Sequence, residues 1–390
     1  MECEKIYSSI STKNHTIKRR GSWKGYQSIG YTSEGIWGVA VSPNTETTGA
    51  ILESATAMMV VANVVAFELP RAQYTNGPWV LFKGGELRDS KLNIDTNTYQ
   101  FIQVGWDKNI GKWWNVGAFF EANWMYGRGT WRVFEDVGTL GTLKSTNKGL
   151  AGGLYISRTF RNKTYFDTVA RFSRFDNDVR GLGDDAAKDG YMADWKSSLF
   201  GLGLEYGGNF TSRDGRVTFN PYNRLIYNTG GANEFAVAYV DGQAPAVANI
   251  NGFGVWTNRL GARLSYTPSV KRHGHYDQAC NPCDPCSPDP CAPCGGKLGS
   301  RSKVMYFVDG DWYKGICGQF GGSLYDPTFG TTGLFVEAQP GREKNDLSYG
   351  VASYGVTLMP RESVSISFVG HHIFGDISGY GVTASTKVSF

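Results

Sequence analysis

The 390-residue sequence has no run of about 18 apolar residues, which excludes helical membrane spans. No secretory leader is expected from its first residues. Lys18, Arg19 and Arg20 are followed by no apolar stretch, and the one candidate, residues 57–67, lies far downstream. The chain is therefore expected to be a fragment of a longer one. Charge bias is small: a net charge of +4 is too weak to argue for a nucleic-acid partner. Neither a nucleotide-binding loop nor a Ser-centred nucleophile motif is present, so no enzymatic activity and no cofactor are expected. Cysteine is scarce outside one place. Five of the seven, Cys280, Cys283, Cys286, Cys291 and Cys294, fall in a single Pro-rich run.

Glycine (51) and the aromatics (22 Phe, 21 Tyr, 11 Trp) are abundant, and they fall in a pattern. In the last twelve residues, Tyr380, Val382, Ala384, Thr386, Val388 and Phe390 occupy one face, and Gly379, Gly381, Thr383, Ser385, Lys387 and Ser389 the other. A period of two is the strand period. An apolar face opposed to a small or polar one, ending on an aromatic, suits a barrel with lipid outside and a wet lumen inside. The negative mean hydropathy does not oppose this, because alternation hides in the average.

Upstream, the same pattern recurs from Pro78 onward. Trp114, Val116, Ala118, Phe120, Ala122, Trp124 and Tyr126 oppose Asn115, Gly117, Glu121 and Asn123. Leu260, Ala262, Leu264 and Tyr266 oppose Arg259, Arg263 and Ser265. The stretch 217–227 is weaker, because Pro221 donates nothing to a ladder. The alternation predicts twelve strands, an even number that closes an antiparallel barrel. Short connections (108–112, 161–163, 209–214, 360–362) alternate with long ones (127–143, 175–192, 229–249, 314–347), the asymmetry of turns and surface loops in outer-membrane barrels. Trp114, Trp124, Tyr126, Tyr206, Tyr227, Tyr266 and Trp312 would form interfacial girdles.

Residues 43–70 differ. Ser42, Pro43 and Asn44 read as a helix start and Pro70 as its end, with Ala50, Leu52, Glu53, Ala55 and Ala57 between. The spacing predicts one helix of about five turns. An ordinary amphipathic helix on a soluble core has the same composition; inside a barrel, its small and polar residues suit a narrow wet channel.

Helix, strand count and terminal Phe together resemble the C-terminal translocator domain of autotransporters, the type V secretion proteins. Three stretches carry the likeness: Gly77-Pro-Trp-Val-Leu-Phe-Lys-Gly-Gly85, Gln103-Val-Gly-Trp-Asp-Lys-Asn-Ile110 and Asp167-Thr-Val-Ala-Arg-Phe-Ser-Arg-Phe-Asp-Asn-Asp178. The resemblance implies an all-β fold, a closed 12-stranded antiparallel transmembrane barrel with an N-terminal helix in the pore. It divides the chain into a passenger or linker remnant (1–41), pore helix and linker (42–77) and barrel (78–390, with a Pro/Cys-rich insertion at 269–300). It implies a monomer in the outer membrane of a diderm bacterium, exporting its own N-terminal passenger. Outer-membrane lipid and the barrel assembly machinery, reading the strand that ends at Phe390, are the implied partners. Val388 stands where this family usually has an aromatic. Asn63 stands alone where one subclass cuts itself at an Asn-Asn pair, so self-cleavage is not expected.

The lumen faces are expected to carry Glu121, Asp167, Glu205, Asp309, Asp311, Arg171, Arg259, Arg263 and Lys387. Charges turned inward need water or a partner, and the helix is the expected partner for some of them. The cysteine run, with His273 and His275 nearby, is open to three readings: a solvated low-complexity insertion, local disulfides or a metal site. No metal ion is expected to be bound. His371 and His372 invite a Ser–His hydrolase reading, but must face opposite ways on a strand. The alternative to a translocator is a stand-alone pore or an adhesin with long surface loops.

Overall fold

A computed structural model of the protein describes residues 76–89, 94–131, 141–183, 191–239, 245–250, 252–268, 303–319, 322–326, 334–338, 348–361 and 363–390, with four short N-terminal strands at 7–12, 15–20, 29–31 and 37–39. The predicted helix over 43–70, Asn63 within it, and the cysteine run lie outside the described residues.

Twelve long strands form the wall. They are β1 (Gly77–Asp89), β2 (Ile94–Ile110), β3 (Trp114–Trp131), β4 (Gly141–Thr159), β5 (Thr164–Gly183) and β6 (Tyr191–Gly208). Then follow β7 (Val217–Gly230), β8 (Phe253–Tyr266), β9 (Lys303–Gln319), β10 (Ser348–Arg361), β11 (Val364–Gly375) and β12 (Ile377–Val388). Each pairs antiparallel with its sequence neighbours. β12 closes onto β1, from Ile377 opposite Asp89 to Lys387 opposite Trp79. Closure removes the unpaired edges that an open sheet exposes.

The alternation fixes the faces as the sequence predicts. On β4, Leu150 and Leu154 are turned out and more than half exposed, at 56% and 67%. On β3, Glu121 and Asn123 are buried, while Phe120 and Tyr126 face out. Pro221 does not break β7. It lies one residue beyond Tyr222, where pairing with β6 ends, so its missing N–H falls at the end of that ladder.

Two features depart from the sequence reading. The inward face is not simply small and polar. Trp79, Phe101, Phe119, Tyr155, Phe175 and Trp195 are among its buried residues. Large rings fit because a glycine stands opposite: Tyr155 faces Gly117, Phe119 faces Gly153 and Trp79 faces Gly105. A Cβ on Gly117 would lie 2.1 Å from Tyr155 Cζ.

The other departure is in the long loops. β3 and β5 run on to Trp131 and Gly183, so the loops after them shrink. Loop strands Asn233–Tyr239, Ala246–Ile250, Gly322–Asp326 and Leu334–Ala338 continue the sheet from the end of β6, each paired with the next. The N-terminal hairpin Tyr7–Thr12 and His15–Arg20 joins its far edge, with Ile10 opposite Val336. At the other rim the turns stay short: residues 111–113 follow β2 and 160–163 follow β4.

Candidate functional site in the barrel lumen

Every charge expected on the lumen face is turned inward, and all but Arg263 are buried. What the sequence could not give is their pairing. Arg171 of β5 reaches over β4 to Glu121 of β3. Glu121 also accepts from Gln103 Nε2 at 2.6 Å and from Asn123 Nδ2 at 3.0 Å. Three donors on one carboxylate offset the cost of burying it.

The same arrangement recurs round the wall. Glu205 accepts from Tyr165 OH at 2.8 Å and from Arg224 Nε at 2.6 Å. The Ser157 hydroxyl donates to Asp167. On β8 and β9, Arg259 binds Asp311 at 2.6 Å and Arg263 binds Asp309 at 2.7 Å. The Tyr222 hydroxyl lies within hydrogen-bonding reach of both carboxylates, 3.0 Å from Asp309 Oδ1, and has one proton to share between them. The Arg259 guanidinium lies 5.0 Å from the ring centre of Tyr313, which stacks on Tyr349 at 4.6 Å. Strand-to-strand cross-links of this kind fix register, since a one-residue slip would turn each partner to the lipid.

At the seam, Lys387 of β12 donates to Asp107 of β2. Trp79 Nε1, on the intervening β1, lies 3.0 Å from both Asp107 Oδ1 and Tyr155 OH. Arg224 and the buried Lys83 are lumen charges that the sequence reading passed over. Arg224 sits in the strand weakened by Pro221. Asp107 lies on the face opposite Ile102, Val104 and Trp106, where the alternation along β2 turns it inward.

His371 and His372 do face opposite ways. His371 is buried, with Nδ1 2.9 Å from Ser353 Oγ and Nε2 2.8 Å from Thr383 Oγ1. His372 is exposed beside Phe374. The serine meeting His371 comes from β10, not from its own strand.

The wall charges thus bind one another. Some inward polar atoms have no partner among the described residues, including Gln103 Oε1, Arg171 Nε and Ser173 Oγ. Each is a buried polar group left unsatisfied by the wall. The two ends of the barrel chain meet at the short-turn rim, where Phe390 N donates to Asn76 O at 2.9 Å. The N-terminal hairpin lies at the opposite rim. The chain between residues 20 and 76 therefore joins the two ends of the barrel.

A family model described as the autotransporter beta-domain matches residues 79–275. Among solved structures, the translocator domain of autotransporter NalP from Neisseria meningitidis is similar with a TM-score of 0.57, at 10% identity, covering 90% of this chain and all (100%) of that one. The beta domain of the Bordetella autotransporter BrkA has a TM-score of 0.53 at 16% identity, covering 81% of this chain and 100% of that one. The transport unit of AIDA-I from Escherichia coli has a TM-score of 0.51 at 12% identity, over 88% and 99% of the two chains. At these identities the likeness is one of fold. No curated protein matches in sequence.

Proposed function

The chain belongs to the autotransporter beta-domain family, and from that premise we propose that it is an outer-membrane translocator that carries a passenger on its N-terminal side through the barrel to the cell surface. One observation carries this reading. Residues 7–12 pair with loop strand Leu334–Ala338 at one rim, while Asn76 enters the wall at the other. A segment left in the lumen after export joins those two points directly. The inward rings of β1–β6 give it an apolar wall.

In this reading the long-loop end faces outward and the short-turn end faces the periplasm, as in outer-membrane barrels generally. The exposed terminal Phe390 is offered to the assembly machinery, and the barrel works as a monomer. In this reading the barrel is a conduit, and His371, with Nδ1 2.9 Å from Ser353 Oγ and Nε2 2.8 Å from Thr383 Oγ1, serves as a cross-link within the wall.

The test is export. A signal peptide and a small reporter domain are placed ahead of residue 1 and the protein is expressed in a diderm host. External protease should remove the reporter from intact cells while the barrel stays SDS-resistant until boiled. A reporter protected in intact cells, beside a folded and inserted barrel, would contradict export and leave the stand-alone pore.

A further inference from the structure

The lipid-facing wall of β3–β6 changes character near the long-loop rim. One row round the wall is apolar: Phe120, Gly152, Phe172 and Phe200, each opposite the next. Arg174 stands in the next row, opposite Leu150. In the row beyond it, Lys148 and Lys196 flank Asp176, with Lys196 Nζ 3.7 Å from its carboxylate. Two rows higher, Arg128, Lys144 and Arg180 stand directly opposite one another on three adjacent strands.

Like charges directly opposed across a ladder destabilise it unless a counter-ion lies between them. The acids at hand are few. Asp178 is taken by Arg180 at 3.1 Å, and Asp194 stands opposite Asp178. Among the described residues, Arg128, Lys144, Lys148 and Arg174 make no ion pair. All four are exposed and face away from the lumen.

We propose that this patch holds the headgroup of an outer-leaflet lipid carrying two phosphates. The assignment rests on the outer-membrane reading above, which puts these rows at the level of outer-leaflet headgroups. Adjacent strands are about 4.8 Å apart and rows about 7 Å, so the cations cover an area on the order of 10 Å by 20 Å. A single phosphate fills one corner of that area; a diphosphorylated headgroup reaches both the Arg128–Lys144–Arg180 row and the Lys148 row. The apolar row below receives the acyl chains. Arg supplies paired donors and Lys a mobile charge, and both suit phosphate oxygens.

The experiment is native mass spectrometry of the folded full chain released from detergent. The probes are diphosphoryl lipid A, the same lipid stripped of both phosphates, and dioleoyl phosphatidylglycerol. The proposal predicts a retained diphosphoryl lipid, with retention falling about tenfold or more in R128Q/K144Q/K148Q and with the stripped lipid. The control R158Q/R161Q/K163Q loses three cations at the other rim and should bind as the unaltered chain does. So should the charge-conserving R128K/K144R/K148R. Equal retention by the triple Gln variant, equal retention of the stripped lipid or of phosphatidylglycerol, or an equal loss in the far-rim control would overturn it. SDS resistance of each variant confirms folding. The readout needs no passenger, so its failure leaves the export reading untouched.

Discussion

Lys387 of the last strand binds Asp107 of the second, reaching over β1, which lies between them. This contact ties the two ends of the barrel sheet together, with Trp79 Nε1 donating to the same carboxylate from the strand in the middle. Both charges are buried. Lys387→Gln leaves Asp107 buried without its cation, which costs about 3–5 kcal/mol. The expected outcome is a lower urea midpoint for the folded barrel. K387Q/D107N should recover part of it, and a double variant no better than additive would count against the pair.

Overpacking tests the ring-over-glycine contacts. Gly117→Ala sets a Cβ 2.1 Å from Tyr155 Cζ, and should cost about 1–3 kcal/mol. Tyr155→Ala removes the obstacle. The double variant should therefore be more stable than the two separate losses predict, measured as urea unfolding followed by tryptophan fluorescence.

Phe390 is 80% exposed and stacks on Trp106 with ring centres 6.0 Å apart. Phe390→Ala should cost the finished barrel only about 0.5–1.5 kcal/mol. Its larger effect should fall on the rate at which the SDS-resistant form accumulates in cells. An equilibrium loss that accounts for the whole assembly defect would remove any special role for the terminal ring.

Asp214 lies in the turn between β6 and β7. The Ser212 hydroxyl, then the Arg216 amide, hold its carboxyl below the usual carboxylate range. The folded pKa is thus lower than the unfolded one. The turn is supported at neutral pH, and the support is lost as pH falls below the ordinary carboxylate value and through the lowered one. The protection of the Arg216 amide, the intrinsic exchange rate at each pH over the observed rate, should fall across that window in the unaltered chain and should be low throughout in Asp214→Ala.

The sequence made the wall legible because in and out alternate along one strand, which needs no knowledge of neighbours. That is why Glu121, Arg259 and Lys387 could be turned inward from the sequence. Partners were not legible, since Arg171 meets Glu121 only if β3, β4 and β5 sit in one particular register. The match of Tyr155 to Gly117 was hidden for the same reason. The loop strands were missed because Gly322–Asp326 and Leu334–Ala338 are five residues each, too short for alternation to declare itself.

The most direct test of a lumen that holds the chain's own N-terminal segment is site-specific photocrosslinking. Ser385 and Thr386 are adjacent on β12, the first facing the lumen and the second exposed to lipid. A photoreactive residue is placed at each in turn in the full chain, and captured peptides are identified after digestion. The account predicts capture of residues 42–77 from position 385 and none from 386. A folded, SDS-resistant barrel in which position 385 captures nothing from that segment, or both positions capture it equally, would contradict the account.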